Sequence, residues 1–390
     1  MTSTDTRPTR RVTILSSPAP EVSVVVLAWR LGDELLDCLE ALSAQRGAPP
    51  FEVVVVANGV VPAARAALDQ VDGAVVVELA ENAGFGGGCA AGASVAGGAA
   101  LVFVNDDAVA EPDWLARLSA RAVADDRPAA VGSLLLDTDG TVQEAGSRVL
   151  STAGTVQLGR GLGLEDARSA GLLVSREVDY CSAAALWVDR AAFDAIGGFD
   201  ERFAPAYFED VDLQFRLRLA GRPVVVAPDA VVRHSSGAST DAMPFYREFL
   251  GQRNGTTFKA RWADTLASAP APEAPLDELC EVVPPDEPLG AVGEGVAASP
   301  TNSTPGIPHA AVADDYLRWL TEQLGRAREL TAVVEAQRVE AADLHEQFAE
   351  LQAKHHELSQ SNHALFVHVQ HLESMTTIDR VRARLPHRRD

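Results

Sequence analysis

The sequence predicts an α/β protein in which a mostly parallel mixed sheet is flanked by helices and followed by a long C-terminal helix. Three observations predict it. β-Branched runs alternate with helical patterns over residues 21–262, a Pro-, Ala- and acid-rich stretch follows at 263–313, and an apolar heptad pattern occupies 314–375. Continuous apolar strands are typical of parallel strands that are buried on both faces. We therefore expect one sheet domain, a flexible linker and a coiled coil.

Strand and helix patterns follow one another through the sheet region. Val22–Ala28 predicts the first strand, and the apolar residues Leu35, Leu36, Leu39 and Leu42 predict a helix around 34–44. Further strands are predicted at 52–57, 75–79 and 101–104, with a Gly-rich turn and an Ala-rich helix before the last of them. Later candidates are an apolar stretch at 183–188, a helix at 210–220 and short strands at 223–227 and 230–233.

Composition restricts the function and the compartment. The 390 residues carry 55 acidic and 33 basic side chains, a net charge of −22, which argues against binding to nucleic acid. The four cysteines lack metal-ligand spacing and are expected to be reduced thiols of a cytoplasmic protein. Residues 1–20 are polar, are expected to be disordered and lack a signal-peptide core. No apolar run could span a bilayer, so any membrane contact is expected to be peripheral.

The C-terminal helix pattern contains an apolar seam. Its positions step by four and three residues from Leu344 to Leu372 and include Asn362, and Leu317, Leu320 and Leu324 follow a different phase. The seam favours self-association or partner docking as a coiled coil, and the alternative is a long helix that packs on its own domain. The Arg-rich segment 376–390 has two open interpretations, contact with an anionic membrane surface or a solvated tail.

The most informative motif is Asn105-Asp106-Asp107, directly after the apolar run that ends at Val104. Buried carboxylates are costly unless a positive charge accompanies them, and strand ends of open α/β sheets border the ligand crevice. Hard oxygen ligands beside a phosphate suit Mg²⁺ or Mn²⁺. The alternative is a strand followed by a solvated Asx turn.

Three further clusters carry chemistry, each with a structural alternative. Asn58-Gly59 follows the second strand and could line a nucleotide pocket or form a turn. The Gly-rich run 81–92 could let a phosphate approach a helix N-terminus. It also imitates a dinucleotide fingerprint, but two strand–helix units precede it, which disfavours that interpretation. Glu209, Asp210 and Asp212 could supply a general base or cap a helix, and His234 could bind a metal or be structural.

In this order, the motifs of residues 22–254 resemble family 2 glycosyltransferases with the GT-A (Rossmann-like) fold. The resemblance is carried by Val22–Val26, by Glu81-Asn82-x-Gly84-Phe85-x-x-Gly88, by Asn105-Asp106-Asp107, by Gly197-Gly198-Phe199-Asp200-Glu201 with Glu209-Asp210-Val211-Asp212, by His234 and by Gln252-Arg253-Asn254. Bacterial rhamnosyl- and galactofuranosyl-transferases are the most similar members. Two positions depart from the family pattern, Ala57 before Asn58 and the first loop Leu27-Ala28-Trp29-Arg30, which leaves the nucleotide base open.

The resemblance implies a role for each matching residue. Asp107 and His234 would be metal ligands, Asp210 would be the catalytic base, and Asp200, Glu201 and Glu209 would lie on the acceptor side. The donor-binding residues would be Ala28, Asn58, Asn82, Gly84, Phe85, Gly88, Asn105, Asp106 and Arg253.

The resemblance further implies inverting transfer from a UDP-, dTDP- or GDP-sugar to a glycan or lipid-linked acceptor, with Mg²⁺ or Mn²⁺. Three other classes stay open. A nucleotidyltransferase would favour a Gly- and basic-rich first loop, an oxidoreductase would bind a dinucleotide, and a scaffold would use the helix to assemble partners around an inactive domain.

Overall fold

The computed structural model describes residues 10–235, 244–280 and 309–374. The chain divides into two compact units, Met1–His309 and Ala310–Asp390. The strands of the described residues are β1 (Val12–Thr13), β2 (Val22–Ala28), β3 (Phe51–Asn58), β4 (Val71–Asp72), β5 (Val75–Leu79), β6 (Ala100–Asn105), β7 (Ala108–Ala110), β8 (Ala130–Leu136), β9 (Val142–Glu144), β10 (Ser147–Val149), β11 (Thr155–Gln157), β12 (Arg176–Glu177), β13 (Ala185–Asp189) and β14 (Val224–His234).

The helices of the same residues are α1 (Asp33–Ser43), α2 (Pro62–Leu68), α3 (Gly84–Val95), α4 (Trp114–Ala122), α5 (Leu164–Ser169), α6 (Arg190–Ala195), α7 (Glu209–Leu219), α8 (Pro244–Arg261), α9 (Ala263–Leu266), α10 (Leu276–Cys280) and α11 (His309–Ser374). A 3₁₀ turn at Glu201–Phe203 precedes α7.

The main sheet has the strand order β12-β14-β8-β13-β6-β2-β3-β5. Strands β5, β3, β2 and β6 are mutually parallel, and β14 is parallel to β8. Strand β13 is antiparallel to both of its neighbours, β6 and β8. The predicted α/β class with a mostly parallel mixed sheet is therefore confirmed.

Helices cover both faces of the sheet. Successive residues of a strand point to opposite faces, so Val24 packs in one apolar cluster with Leu35 of α1 and Val25 packs in another with Ala93 of α3. Helix α3 lies close to the sheet because Gly92 has no side chain. A Cβ atom there would lie 2.4 Å from Cγ1 of Val25. The small residues of this helix are thus explained by packing against β2 and β3.

Several predicted boundaries were wrong. Residues 10–20 are partly ordered by pairing of β1 with β4, and residues 1–9 of the predicted disordered segment lie outside the described residues. The predicted Gly-rich turn is the first part of α3, which begins at Gly84. The two short strands predicted at 223–233 are one strand, β14, because a register irregularity between Ala227 and Val231 lets it continue along β8.

The predicted linker begins later than residue 263. Leu266 of α9 and Leu279 near the end of α10 are 3% and 8% exposed and pack in apolar clusters of the first unit. Residues 263–280 are therefore part of the folded unit, while 281–308 lie outside the described residues.

The second unit contains α11, a helix of 66 residues. The seam side chains Leu351, Leu358 and Leu365 are 67%, 67% and 61% exposed. The side chains of Leu344 and Leu372 and the segment 376–390 lie outside the described residues. Every helix of the described ranges is too short or too polar to cross a membrane.

Candidate active site

A cavity of about 940 Å³ opens at the carboxyl ends of β2, β3 and β6. Ligands of open α/β sheets bind at this edge, beyond the strand ends. The residues from the sequence prediction that line the cavity are Asn58, Asn82, Gly84, Phe85, Asn105, Asp106, Asp107, Glu209, Asp210 and His234. Residues about 150 positions apart in the chain thus meet in one cavity.

The strand-end motif meets His234 across the cavity wall. Strand β14 pairs with β7 so that His234 lies opposite Ala108, which brings its Nε2 atom 3.1 Å from Oδ1 of Asp107. Nδ2 of Asn105 is also 3.1 Å from this Nε2. Asp107 and His234 are buried and Asn105 is partly buried, so their surroundings restrict the positions of all three side chains.

Gln143 orients the imidazole of His234. Its Nε2 donates to Oδ1 of Asp137 at 2.7 Å and to the carbonyl oxygen of His234 at 3.0 Å. The Oε1 atom of Gln143 is then left to accept a hydrogen bond from Nδ1 of His234, 2.7 Å away. In the neutral imidazole this contact selects the tautomer whose Nε2 lone pair points toward Asp107, the form that binds a metal ion.

The pair of Asp107 and His234 fits a divalent cation. Two adjacent ligands of an octahedral ion at 2.0–2.1 Å are about 3 Å apart, and the observed separation is 3.1 Å. No group of three or more His, Cys, Asp or Glu side chains in residues 10–235, 244–280 and 309–374 could hold an ion by itself. A two-ligand site suits Mg²⁺ or Mn²⁺ that is shared with substrate phosphates, since such ions keep several non-protein ligands.

Asp106 faces the first loop rather than His234. Its Oδ2 atom accepts a hydrogen bond from the backbone N–H of Trp29 at 3.2 Å. Burial, and to a smaller extent the neighbouring Asp107, raises the pKa of Asp106 to about 7. Within the strand-end motif, Asp106 thus contacts the first loop, whereas Asn105 and Asp107 lie at the candidate metal site.

Asn58 and Asn82 shape the turn that leads into α3. The Oδ1 atom of Asn58 accepts from the N–H of Ala83 at 2.8 Å, and Oδ1 of Asn82 accepts from the N–H of Gly84 at 2.7 Å. Gly84 has φ +75°, and a Cβ atom there would lie 2.5 Å from the carbonyl oxygen of Pro205. That same oxygen accepts from the N–H of Phe85 at 2.7 Å. Two amides at the start of α3 thus donate within the protein instead of facing a phosphate.

The start of α7 presents Glu209 and Asp210 to the cavity. Asp210 is partly exposed, and its two carboxylate oxygens accept from the N–H groups of Ala183 at 3.2 Å and of Val211 at 2.9 Å. Burial raises the pKa of Asp210 above its ordinary value. Burial followed by repulsion from Asp210 raises the pKa of Glu209, whose Oε2 atom is buried without a hydrogen-bond partner.

The loop before α7 is strained and held by α8. Tyr207 and Phe208 have φ values of +74° and +71°, which cost side-chain-bearing residues about 1–3 kcal/mol each. Nδ2 of the fully buried Asn254 donates to the carbonyl oxygens of Phe203, Ala206 and Tyr207 at 2.7–3.0 Å. Asn254 thereby stabilises the backbone that delivers Asp210 to the cavity.

The remaining acids of the same motifs have structural surroundings. Asp200 forms ion pairs with Arg202 at 2.7 Å and with Arg261 at 2.6 Å. Asp212 is fully buried, pairs with Arg216 at 2.8 Å and Arg261 at 3.2 Å, and accepts from Nε1 of Trp262 at 3.0 Å. The contact between Asp212 and Arg261 joins α7 to α8. Asp200 does not line the cavity, and its acceptor-side role stays a prediction.

Four other predicted residues do not reach the cavity. Ala28 is fully buried in the apolar core at the end of β2. Gly88 faces Leu27 and Asn58 inside α3. Glu201 is exposed at the 3₁₀ turn. Arg253 donates to the carbonyl oxygen of Ala204 at 3.1 Å, beside the loop that Asn254 holds. None of these four residues lines the cavity.

Sequence reasoning missed the contribution of β9 to the cavity. Gln143 and Glu144 both line it, as do Tyr180, Ser182 and Ala183 before β13. A polar pair within the short apolar context Val142–Ala145 was the only signal in the sequence. Such a signal is weak because surface strands show it as well.

Comparisons with known proteins find relatives of this chain in sequence. The chain is 32% identical over 253 residues to the O-antigen biosynthesis protein RfbC of Myxococcus xanthus, which covers 60% of this chain and 20% of that protein. It is 46% identical over 69 residues to the N-acetylglucosaminyl-diphospho-decaprenol L-rhamnosyltransferase of Mycobacterium tuberculosis, covering 18% of this chain and 22% of that enzyme. The chain thus spans about a quarter or less of the curated relatives it matches.

Among solved structures, GalNAc-T7 with UDP, GalNAc and Mn²⁺ aligns with a TM-score of 0.48 and 14% identity, over 64% of this chain and 49% of that one.

An α/β sheet with an acidic crevice at its strand ends, together with the sequence relatives, defines an enzyme of the glycosyltransferase class. The particular family follows from its family model, which matches residues 18–248. The chain belongs to the family described as Glycosyltransferase like family 2, and its sheet is the mixed α/β sheet of the GT-A fold.

Proposed function

We propose that this glycosyltransferase moves a rhamnose- or galactofuranose-like sugar from a nucleotide-sugar donor to a glycan or lipid-linked acceptor, in the synthesis of cell-surface polysaccharide. The observation that carries the proposal is one cavity that contains both the Asp107–His234 pair and, separately anchored, Asp210. The sugar class is supported by two of the relatives, a rhamnosyltransferase and an O-antigen biosynthesis protein.

The cavity needs a cation to receive a diphosphate. Among the described residues, its lining includes the acidic side chains of Asp106, Asp107, Glu144, Glu209 and Asp210 and only two arginines, Arg160 and Arg247. This excess of acidic groups would weaken the binding of an anionic donor. The amides of Gly84 and Phe85 are already engaged within the protein. Asp107 and His234 would therefore hold Mg²⁺ or Mn²⁺, which when bound neutralises the charge of the leaving nucleoside diphosphate.

Asp210 would act as the general base. Hydrogen bonds from Ala183 and Val211 fix the orientation of its carboxylate, and its raised pKa makes it a better proton acceptor than an exposed aspartate. As Asp210 takes the proton of an acceptor hydroxyl, the acceptor oxygen bonds to the anomeric carbon. The bond from that carbon to the diphosphate breaks on the opposite face, which inverts the configuration and requires no enzyme nucleophile.

A thermal-shift screen with UDP-, dTDP- and GDP-sugars, each with and without Mn²⁺, tests the donor and the metal together. At 100 times Kd a ligand stabilises by about 2.7 kcal/mol, which corresponds to a rise in Tm of about 5–10 °C for a unit of this size. We expect one nucleotide to give this rise only with the metal, followed by release of that nucleoside diphosphate. Equal shifts with all nucleotides, or no shift with any, would contradict the proposal.

We further propose that α11 pairs with a second copy of the chain. Its seam residues Leu351, Leu358 and Leu365 are exposed, and an isolated helix with an apolar stripe gains stability when a partner covers it. Asn362 and His355 occupy the alternate seam positions, where a polar side chain meets its own copy in a parallel, in-register pair.

A further inference from the structure

Strand β9 brings two consecutive polar side chains into the cavity. Leu135 of β8 pairs with Glu144, but the next residue, Leu136, pairs with Val142, so Gln143 is an additional residue in the ladder. A bulge of this kind redirects side chains, and bulges are frequent beside active sites. Gln143 contacts His234 as described above, which leaves the role of Glu144 to be explained.

Glu144 is anchored next to the proposed base. Its Oε1 atom accepts from the N–H of Ser182 at 2.7 Å, and Oδ2 of Asp210 accepts from the N–H of the following residue, Ala183, at 3.2 Å. Gln214 bonds to both backbone groups of Cys181, at 2.8 and 2.6 Å, and so fixes the segment that carries these amides. Consecutive amides therefore anchor both carboxyl groups, and both residues line the same cavity.

Within the described part of the chain, Glu144 is buried without a basic side chain to balance its charge. The residue is 3% exposed, and no Lys or Arg of the described ranges forms an ion pair with it. Burial, with a smaller contribution from Asp210, raises the pKa of Glu144 to about 7, so that a large share of the carboxyl is neutral near neutral pH. Glu209, which lines the same cavity, has a buried Oε2 atom without a hydrogen-bond partner among the described residues, so this part of the cavity has hydrogen-bonding capacity to spare.

We propose that Glu144 binds the acceptor sugar, through the ring hydroxyl that neighbours the hydroxyl deprotonated by Asp210. Two carboxyl groups that are anchored by consecutive amides in one cavity can bind two adjacent hydroxyls of one sugar ring, since a carboxyl group forms hydrogen bonds with hydroxyls. The ligand class is a ring with two vicinal free hydroxyls. This inference rests on the proposed transfer function and adds an acceptor requirement to it.

The test separates acceptor binding from donor chemistry. The donor is the nucleotide sugar with the largest shift in the screen, and the acceptors are p-nitrophenyl glycosides of common hexoses with their monodeoxy analogues. For Glu144→Leu we expect the acceptor KM to rise about tenfold, because one hydrogen bond to the sugar is lost. Donor hydrolysis by water and binding of the nucleoside diphosphate with Mn²⁺ should stay within twofold, since neither involves the neighbouring ring hydroxyl that Glu144 binds.

Two variants control for a purely structural effect. Glu144→Gln keeps an acceptor for the Ser182 amide and supplies an N–H donor, so its KM should stay within about threefold of the wild type. Glu248→Leu changes an exposed glutamate at the same cavity, one that accepts from Gln252 at 3.1 Å, and should leave KM unchanged. With the wild type, one monodeoxy acceptor should have a KM about ten times that of its parent glycoside. With Glu144→Leu, the same two acceptors should have equal KM values.

An unchanged acceptor KM in Glu144→Leu would overturn the inference, as would an equal fall of hydrolysis and transfer. A Glu144→Gln variant as inactive as Asp210→Asn would show a charged base instead of a binding group and would overturn it too. Failure of the wild type to hydrolyse any nucleotide sugar is seen before an acceptor is added. That result would contradict the transfer function itself.

Discussion

Asp210 and Asp212 lie two residues apart on α7, and the same substitution should have opposite consequences at the two positions. Asp210 lines the cavity, whereas Asp212 is fully buried away from it against two arginines and a tryptophan. We therefore compare Asp210→Asn with Asp212→Asn, each of which removes one charge and keeps the size of the side chain.

Asp212→Asn leaves the guanidinium groups of Arg216 and Arg261 without their buried carboxylate, whose oxygens lie 2.8 and 3.2 Å away. Breaking a buried ion pair costs 3–5 kcal/mol, and because asparagine can still accept from Trp262 we take about 3 kcal/mol. At about 2–4 °C per kcal/mol, Tm should fall by about 6–12 °C. Turnover per folded molecule should stay near that of the wild type at low temperature.

Asp210→Asn removes a carboxylate whose pKa is raised by burial, so its ionised form is disfavoured in the folded state. Asparagine can accept only one of the two amide hydrogen bonds, and the lost bond costs about 1 kcal/mol. Removal of the buried charge offsets this cost. The Tm should therefore change by less than about 4 °C. Turnover should fall about 10²–10⁴-fold, since a general base contributes a factor of this size.

Differential scanning fluorimetry measures both Tm values, and release of nucleoside diphosphate with Mn²⁺ measures turnover. The assignment would be refuted if Asp210→Asn melted as early as Asp212→Asn, or if it kept more than about a tenth of the wild-type rate. A wild-type Tm in Asp212→Asn would refute the structural role of the ion pairs.

Asp107→Ala should abolish the metal-dependent part of binding of the nucleoside diphosphate that the donor screen selects. Gln143→Leu should weaken Mn²⁺ affinity by about 10–100-fold because His234 loses its orienting partner. Calorimetry with Mn²⁺ and that nucleotide measures both effects, and unchanged isotherms would contradict the site. The folded-state pKa of Glu144, about 7, lies above its ordinary value, so its contribution to stability is present below about pH 4.5 and is lost as pH rises to 7, by about 3 kcal/mol at most. Urea unfolding at pH 5 and 7.5 should therefore show less loss of stability in Glu144→Gln than in the wild type, and equal losses would count against the raised pKa. Light scattering should give a dimer for the full chain and a monomer for a chain ending at Cys280; equal association states would exclude pairing through α11.

Much of the fold could be predicted because local patterns report burial directly. The β-branched runs of β2 and β3 and the apolar run of β6 are buried on both faces, so each is visible as a continuous apolar segment. The boundaries of β14 and α3 could not be predicted in the same way. Continuation of β14 past Ala227 depends on its partner β8, and the helical conformation of a Gly-rich run depends on its packing against β2.

The sequence alone also determined the identity of the site's central groups. Asn105, Asp106 and Asp107 end a buried strand, Asp210 begins a helix, and His234 ends a later strand, and all of them line one cavity. These residues were detectable because chemistry-bearing side chains stand at the ends of elements, where sequence patterns change abruptly.

Only the tertiary structure decided which acids of the motifs face the cavity. Glu209 and Asp210 turn toward it while Asp212 and Asp200 bind arginines, and Glu144 enters through a bulge in a three-residue strand. Local patterning encodes how deeply a residue is buried. The direction of a polar side chain depends on long-range partners such as Arg261 and Ser182, which adjacent residues do not specify.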